Sequence, residues 1–168
     1  MIRPAREADR AAIVALHLAS WQASYGIELP EAVLRDILPG YLAQKWAARA
    51  FGDGQVTVVA EANGIVGFAC ALTDRTPPLR TSPWPLIDNL HVHPDLRGGG
   101  WGGRLLTAMN TALAEAGFAH STLTVLSRND GARRFYEAHG GRDVGEEDDT
   151  LVGRPVKVRR IVFDLPTG

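Results

Sequence analysis

The chain has 168 residues, of which 45% are hydrophobic and 22% are charged, and its formal net charge is −1. This composition predicts a single globular domain over residues 1–168 with a hydrophobic core. It argues against a nucleic-acid-binding protein, because such domains are usually strongly basic. No run approaches the roughly 18 apolar residues of a membrane-spanning helix. The single cysteine, Cys70, excludes an internal disulfide, and the start of the chain lacks a signal-peptide pattern, so we expect a cytoplasmic protein.

Hydrophobic periodicity and turn residues predict strands and helices in alternation. In the first half we expect a strand over 1–4, a helix over 7–20, a helical stretch that begins at Pro30, is interrupted at Pro39-Gly40 and resumes over Tyr41–Phe51, strands over Val56–Ala62 and Ile65–Leu72, and an irregular loop over 73–85. Asn63-Gly64 separates the last two strands. This dipeptide is typical of a two-residue hairpin turn.

The second half is predicted to contain the site. We expect a fourth strand over Leu86–Val92, a helix from about 100 to 116, a fifth strand over Ser121–Leu126, a helix over 130–139, and last strands near 142–146 and 156–164. Four acids, Glu146-Glu147-Asp148-Asp149, are predicted to form a solvated turn between the last two strands. The fourth and fifth strands should run parallel, because a helix connects them. Ligands of open α/β sheets bind beyond the carboxyl ends of such strands.

The most informative segment lies between the fourth strand and the helix that follows it. Five of the six residues at 98–103 are glycine. Glycine lets the backbone approach a ligand closely, and a helix N-terminus offers unpaired N–H groups and a partial charge of about half an electron. Arg97 and Arg104 flank the glycines. The segment therefore predicts a loop that binds phosphate or pyrophosphate.

Three phosphate-binding patterns compete for this loop. Gly98 and Gly103 have the spacing of a P-loop, but the lysine and the hydroxyl residue that should follow are missing. The fingerprint GxGxxG of dinucleotide-dependent oxidoreductases is matched literally. However, five residues separate the strand from its first glycine, and no acidic residue ends the next strand. The third pattern, [Q/R]xxGx[G/A], is met by Arg97, Gly100 and Gly102.

At this point the chain resembles the GNAT superfamily of N-acetyltransferases. Residues from Asp88 to Gly102 are similar to the acetyl-coenzyme A motif of that family, and those from Asn129 to Gly140 to its NxxAxxFYExxG segment. Ser20–Pro30 is similar to the first-helix region of one bacterial branch, so the resemblance covers nearly the whole chain. It implies an α/β (α+β) fold with a central mixed sheet of about seven strands and about four helices. Parallel strands four and five would be splayed to admit the cofactor.

The resemblance also implies acetyl-coenzyme A as co-substrate, with its pantetheine arm between the splayed strands and its pyrophosphate in the glycine loop. The residues expected to bind it are Leu90, His91, Val92, Arg97, Gly98, Gly99, Gly100, Trp101, Gly102, Gly103, Arg104 and Asn129. No metal is expected. His91 and His93 have the i,i+2 spacing of metal ligands on a strand, but a third ligand at a recognisable spacing is missing.

Acetyl transfer to an amine needs a group that accepts a proton and a group that gives one. Tyr136 matches the family position of the acid that assists the leaving thiolate. The family often places a glutamate base six residues before Val92, but this chain has Leu86 there. Two-residue alternation puts Asp88 on the face of Leu86, Leu90 and Val92, which makes it the expected base or water-orienting group. A bulge would reverse this alternation, and a purely structural role at the strand entry stays open.

The family covers its acceptor with the segment between the first two helices, so Trp21, Tyr25 and Glu28 are the expected acceptor-binding residues. Packing in the core or in a lid is the alternative for the two aromatic residues. The predicted function is transfer of an acetyl group to a primary amine, of a small molecule or a protein, by direct attack in a ternary complex. The alternative is a catalytically silent coenzyme A-binding sensor or regulatory domain. The sequence leaves open the acceptor, longer acyl groups and a homodimer.

Overall fold

The computed structural model describes residues 1–52, 54–74 and 84–166. Its strands are β1 (Ile2–Pro4), β2 (Gln55–Glu61), β3 (Ile65–Leu72), β4 (Leu86–Val92), β5 (His120–Leu126), β6 (Arg142–Leu151) and β7 (Arg154–Asp164). Its helices are α1 (Arg10–Ser24), α2 (Leu38–Ala47), α3 (Trp101–Glu115) and α4 (Asp130–Ala138). None of the helices in these ranges is long and apolar enough to cross a membrane. Of the loop predicted over 73–85, residues 75–83 lie outside the described part.

The strands form one mixed sheet in the order β1-β2-β3-β4-β5-β7-β6. All neighbours are antiparallel except β4 and β5, which are parallel as predicted. These two strands are bridged only where Leu86 lies opposite Thr122, within the described residues. The Thr122 amide also donates to the Pro85 carbonyl at 3.0 Å. Beyond this point the two strands have no ladder between them, which confirms the predicted splay.

Helices cover both faces of the sheet. The α3 side holds the larger core, in which Leu105, Leu106, Met109 and Leu113 are buried. Side chains of α4 pack against the same core. On the other face, α1 contributes Ile13 and Leu16 to a second core with Trp46 and Phe68. The sheet therefore presents one face to α3 and α4 and the other to α1 and α2.

A β-bulge in β4 changes which side chains share a face. Cys70 lies opposite Asn89 and Ala71 lies opposite Ile87, so Asp88 is the extra residue of the bulge. As a result Ile87, Leu90 and Val92 pack toward α3, whereas Asp88 binds Arg49 on the α2 side. The predicted shared face of Asp88 with Leu90 and Val92 is therefore wrong. An extra residue reverses the alternation on one side of it.

The bounds of the two N-terminal helices differ from the predictions, since α1 begins at Arg10 and α2 ends at Ala47 rather than at Phe51. Helix α1 continues to Ser24 instead of ending near residue 20. The predicted interruption at Pro39-Gly40 is also wrong, because a π-helical turn over Val33–Ile37 leads directly into α2. Pro39 lies in the first turn of α2, where a missing N–H and a fixed φ are tolerated.

The two hairpins also differ from the predictions. Glu61 pairs with Ile65, so the connection of β2 to β3 has three residues, 62–64, with a register shift before it. The run Glu146–Asp149 is not a turn but lies inside β6. It pairs with a basic stretch of β7, in which Arg159 lies opposite Glu146 and Lys157 opposite Asp148. Opposite charges across a strand pair stabilise a sheet, and the actual turn is Val152-Gly153.

Candidate active site

A cleft opens where β4 and β5 separate, at their carboxyl ends. Its volume is about 840 Å³. The walls come from β4, β5, the glycine loop and α4 on one side, and from α1, α2 and the β6–β7 turn on the other. The cleft therefore lies where the sequence places the site, and glycines, aromatic side chains and charged side chains all line it.

Two glycines of the loop are required by the backbone. Gly98 and Gly100 have φ of +84° and +86°, a left-handed conformation that side chains rarely adopt. A Cβ at either position would meet no atom within 4 Å. Gly100 is also the N-cap of α3, so the free N–H groups of the first helical turn follow directly. The open space beside these glycines fits an anionic group that approaches the backbone.

The next two glycines serve a different purpose. A Cβ on Gly102 would lie 3.3 Å from Cζ of Phe135, and one on Gly103 would lie 2.6 Å from Nε2 of His139. Both contacts are with side chains that α4 carries or that follow it directly. Close packing of α3 on α4 therefore explains the absence of side chains at these two positions. Of the glycines named in the motif, Gly98 and Gly100 are the ones that the geometry leaves open to a ligand.

The flanking arginines are held by uncharged partners. The Nη2 atom of Arg97 donates to Ser20 Oγ at 3.2 Å and to Ser24 Oγ at 3.0 Å. The Arg104 guanidinium lies over the Trp101 ring, 4.0 Å from its centre. Neither arginine has a carboxylate partner in the described part of the chain. Both positive charges therefore remain available to an anion in the cleft.

His91 belongs to a contact between β4 and α1. Its Nδ1 lies 2.9 Å from Ser20 Oγ, and its ring lies 4.6 Å from the ring of buried His17. His17 Nδ1 accepts a hydrogen bond from Trp46 Nε1 at 2.9 Å. Burial and nearby cations lower the pKa of His91 to about 3, so the ring is neutral at pH 7. Among the described residues, no three His, Cys, Asp or Glu side chains are grouped so that they could hold a metal ion.

Tyr136 lines the cleft from α4. Asn129, which also lines the cleft, caps this helix by accepting the Ala132 N–H at 3.1 Å. The Tyr136 ring packs on Phe135, with ring centres 5.1 Å apart. Its hydroxyl makes no hydrogen bond with the described residues. Burial, with a smaller effect of Tyr25, raises the pKa of Tyr136 to about 12, so the phenol keeps its proton.

Asp88 reaches the cleft as an ion-paired carboxylate. Its Oδ2 accepts from Arg49 Nη2 at 3.0 Å and lies 3.6 Å from Lys45 Nζ. Burial alone would raise the pKa of the Asp88 carboxyl, but the two cations outweigh burial and hold the pKa below its usual value. The side chain is therefore an anion at pH 7, with little tendency to take up a proton itself.

The three predicted acceptor residues separate in the structure. Trp21 and Tyr25 both line the cleft, and their rings meet edge to face at 5.1 Å. Glu28 does not line it, and its largely buried carboxylate pairs with Arg128 across the chain. This ion pair ties the segment after α1 to the segment before α4. The position of Glu28 therefore suits a residue that stabilises the wall of the cleft rather than one that binds the acceptor.

Sequence reasoning missed a whole wall of the cleft. β5 pairs with β7 only from Val158 onward, so residues 149–156 of the β6–β7 hairpin extend past the end of the sheet. We call residues 149–156 the hairpin arm. Leu151 and Val152 at its tip pack against a cluster that contains Trp21. Tyr41 and Lys45 of α2 line the same end of the cleft, and no sequence pattern marks either of them or the arm.

Comparison with known proteins identifies the fold family. A sequence model of the Acetyltransferase (GNAT) family matches residues 11–141. The structure is similar to the PaiA N-acetyltransferase of Thermoplasma acidophilum in complex with coenzyme A, with a TM-score of 0.76 and 16% identity over 98% of each chain. It is also similar to YncA of Salmonella typhimurium with acetyl-coenzyme A, with a TM-score of 0.71, 22% identity, and coverage of 100% of this chain and 95% of YncA.

A third similar structure is a ribosomal-protein-alanine N-acetyltransferase of Brucella melitensis, with a TM-score of 0.75 and 21% identity over 98% of this chain and 99% of that one. The left-handed glycines, the two uncommitted arginines and the unpaired edge of β4 fit the co-substrate of this family. The chain therefore belongs to the GNAT acetyltransferase family, and it is an acyltransferase whose co-substrate is acetyl-coenzyme A.

Proposed function

We propose that the protein is an N-acetyltransferase that moves the acetyl group to a primary amine by direct attack in a ternary complex. The observation that carries this proposal is the Tyr136 phenol, which lines the cleft, keeps its proton and makes no hydrogen bond with the described residues. The glycine loop at one end suits the phosphates of the co-substrate. The wall formed by Trp21, Tyr25 and the hairpin arm at the other end suits a second molecule.

The cofactor would lie along the splayed strands. The free edge of β4 at Leu90, His91 and Val92 supports pairing with the pantetheine amides, in the manner of an added strand. The loop from Gly98 to Gly103, with the charges of Arg97 and Arg104, would hold the pyrophosphate. Trp101 and Asn129 line the cleft between these two parts. A backbone N–H beside Val92 would stabilise the thioester oxygen as it gains charge.

The reaction joins the acceptor amine to the acetyl group of the bound co-substrate. The neutral amine nitrogen attacks the thioester carbonyl carbon, so a C–N bond forms while the C–S bond breaks. Tyr136 donates its proton to the departing thiolate, and the phenolate that this leaves takes up a proton from water in the cleft. The proton lost by the amine leaves through water oriented by the Asp88 carboxylate, because this ion-paired group is a better hydrogen-bond acceptor than a base. The neutral ring of His91 lies on the same wall and adds no charge.

The acceptor is a primary amine of a small molecule or a protein. Trp21 and Tyr25 present aromatic surface to it, while Lys45, Asp88 and Asp149 place charges of both signs around it. Aromatic faces bind cations and alkyl chains alike, so these walls do not select one acceptor class. The expected cytoplasmic location and the possible homodimer both stay predictions.

The experiment that tests this proposal is Tyr136→Phe. We expect turnover to fall by about 10²–10⁴-fold, because that is the usual contribution of a general acid. The affinity for acetyl-coenzyme A should stay nearly unchanged, since the sulfur carries little charge before the C–S bond breaks. Turnover is measured as thiol release over a panel of primary amines, and affinity by isothermal titration.

Two results would contradict the proposal in different ways. Turnover of the Tyr136→Phe variant above about a third of the wild-type value, when chemistry limits the rate, would remove the acid role. Wild-type protein that binds acetyl-coenzyme A but releases no thiol with any amine would instead identify a coenzyme A-binding sensor domain.

A further inference from the structure

Two cations and one carboxylate meet on the α2 side of the cleft. Lys45 Nζ lies 3.6 Å from Asp88 Oδ2, and Arg49 Nη2 lies 3.0 Å from the same oxygen. Among the described residues, neither Lys45 nor Arg49 forms an ion pair with another carboxylate. Arg49 also donates to the Cys70 thiol at 3.3 Å, and burial raises the pKa of that thiol, so the thiol brings no negative charge at pH 7. The group therefore has one positive charge in excess.

The excess charge is on the side of Lys45. Arg49 is bound to Asp88 and to the thiol, and its guanidinium lies 4.9 Å from the centre of the Trp46 ring. Arg49 does not line the cleft, whereas Lys45 does. The Lys45 side chain is partly buried, and a partly buried charge costs free energy unless an anion pairs with it. Lys45 is therefore the cation that a molecule in the cleft can reach.

Two histidines close to the cleft respond to the same charge. Burial is the main cause that lowers the pKa of His17 to about 2 and the pKa of His91 to about 3. Lys45 adds to the lowering at both rings, and Asp88 opposes it at His91. Positive charge therefore outweighs negative charge in this part of the cleft.

The co-substrate does not account for the charge of Lys45. Its phosphates would lie by Arg97 and Arg104 at the glycine loop, and its pantetheine arm and thioester carry no charge. Asp149 is the other acidic residue among the described residues that line the cleft, and it is exposed, so that water and salt screen its charge. The charge of Lys45 is therefore left for the acceptor.

The distance between Lys45 and Asp88 limits where an anionic group of the acceptor can be. In the proposed function, Asp88 orients the water that takes the amine proton, so the amine nitrogen lies near this carboxylate. Lys45 Nζ is 3.6 Å from the same carboxylate. An anionic group that binds Lys45 must then be close to the amine in the acceptor, as the carboxylate of an α-amino acid is.

We propose that the acceptor is a free amino acid and that Lys45 is the specificity-determining residue that binds its carboxylate. The inference rests on the proposed function, since it takes transfer to an amine and the water beside Asp88 as given. It adds that a peptide N-terminus is a poor acceptor, because an amide stands there in place of the carboxylate. A polyamine is disfavoured as well, because it brings only positive charge to a site where positive charge is in excess.

The substrate class is tested on the wild-type protein with matched acceptors that share a side chain and differ in the carboxylate. Leucine is compared with leucinamide and isopentylamine, and phenylalanine with phenylalaninamide and phenethylamine. Rates of thiol release are compared per neutral amine, because the members of a set differ in the pKa of the amine. We expect kcat/KM to be about 10–100-fold higher for the amino acid, the usual effect of a hydrogen bond to a charged group.

The role of Lys45 is tested by Lys45→Met, which keeps the alkyl stem and removes the ammonium group. The preference for the amino acid should fall by about tenfold or more, whereas Lys45→Arg should retain it. Against the effect of burial, Lys45 also helps to lower the pKa of Asp88, but this acts on every acceptor alike and cancels from the ratio. The matched control is Lys157→Met, the same change at an exposed lysine of β7 that does not line the cleft. It should leave the preference unchanged.

The outcomes separate the inference from the proposed function. Wild-type protein that acetylates amines without preferring amino acids would overturn the inference and leave the proposed function intact. A preference that Lys45→Met retains would overturn the role of Lys45, and so would an equal loss for all members of a set, which is the mark of a structural residue. Wild-type protein that acetylates neither amino acids nor other amines would overturn the proposed function, and the inference with it.

Discussion

Two hairpin tips of the same sheet both contain a non-glycine residue with positive φ, and that residue differs between them. Asn63-Gly64, between β2 and β3, has φ of +56° and +107°, and Val152-Gly153 has +49° and +75°. The first tip is exposed, whereas the second packs against Trp21. Where a tip is free, backbone preference selects the residue, and asparagine stands there. Where a tip packs against neighbouring helices, a valine that makes this contact stands in place of the residue that the backbone favours.

The largest expected difference between the two hairpins is in stability. Phe68 on β3 is fully buried and lies 5.5 Å from the Trp46 ring. We expect Phe68→Ala to lower the free energy of unfolding by about 3–5 kcal/mol. Leu151→Ala on the hairpin arm should cost less than about 2 kcal/mol, because Leu151 is only partly buried. Urea unfolding measures both. Equal losses would show that the arm is as much part of the fold as β3.

A smaller effect is expected from giving the first tip the residue of the second. Asn63→Val should lower the free energy of unfolding by about 1–2 kcal/mol, the cost of a left-handed conformation for an ordinary side chain. No contact compensates at this exposed position, and the KM values for both substrates should not change. Chemical unfolding and thiol-release kinetics check the two parts. An unchanged stability would mean that valine is not strained in such a turn.

The last comparison concerns an ion pair at each edge of the sheet, and its effect on stability depends on pH. Asp9 accepts hydrogen bonds from Arg3 at 2.8 and 2.9 Å. Chiefly this bonding, against an opposing effect of burial, lowers the pKa of Asp9 to about 2. A lowered carboxyl pKa stabilises the fold above about pH 4, and this stabilisation is lost as the pH falls toward 2.

Asp9→Asn should therefore lower Tm at pH 7, and the difference from the wild type should shrink toward pH 2. Asp148 pairs with Lys157 at the base of the hairpin arm, where both side chains are exposed. Asp148→Asn should change Tm little at any pH, because exposed ion pairs contribute little to stability. Thermal scans from pH 7 to pH 2 compare the two variants. A Tm difference for Asp9→Asn that does not depend on pH would contradict the assignment.

The order of strands and helices could be predicted because each element is specified by residues within its own segment of the chain. Alternation, helical periodicity and turn residues place the four helices and six of the seven strands within four residues, whereas β6 extends five residues beyond its predicted end. The bulge at Asp88 could not be predicted, since it depends on pairing with β3. The acidic run Glu146–Asp149 was misread as a turn for the same reason. Its charges are balanced across the strand pair, where Lys157 pairs with Asp148 and Arg160 pairs with Glu147, not by residues nearby in sequence.

The residues of the site also fall into a group that the sequence predicts and a group that it does not. The glycine loop, Tyr136 and Asn129 lie in short motifs, and the structure brings them to one cleft. The position of Arg97 on Ser20 and Ser24 joins residues 77 and 73 apart in sequence, so no local pattern reveals it. The hairpin arm was not predicted because its turn, Val152-Gly153, begins with a valine. Turns are recognised in a sequence by residues such as asparagine and aspartate, and valine at position 152 is not one of them.

The sheet is weakly joined between β4 and β5, where a single bridge connects the two strands. We call this boundary the seam. The four strands on one side and the three on the other are each laddered throughout, but across the seam the described residues show only the bridge of Leu86 with Thr122. A molecule that pairs with the exposed edges would fasten the two halves like an additional strand. Binding of such a molecule between β4 and β5 would stabilise the folded protein by mass action. The stability of the sheet would therefore depend on how much of the ligand is bound.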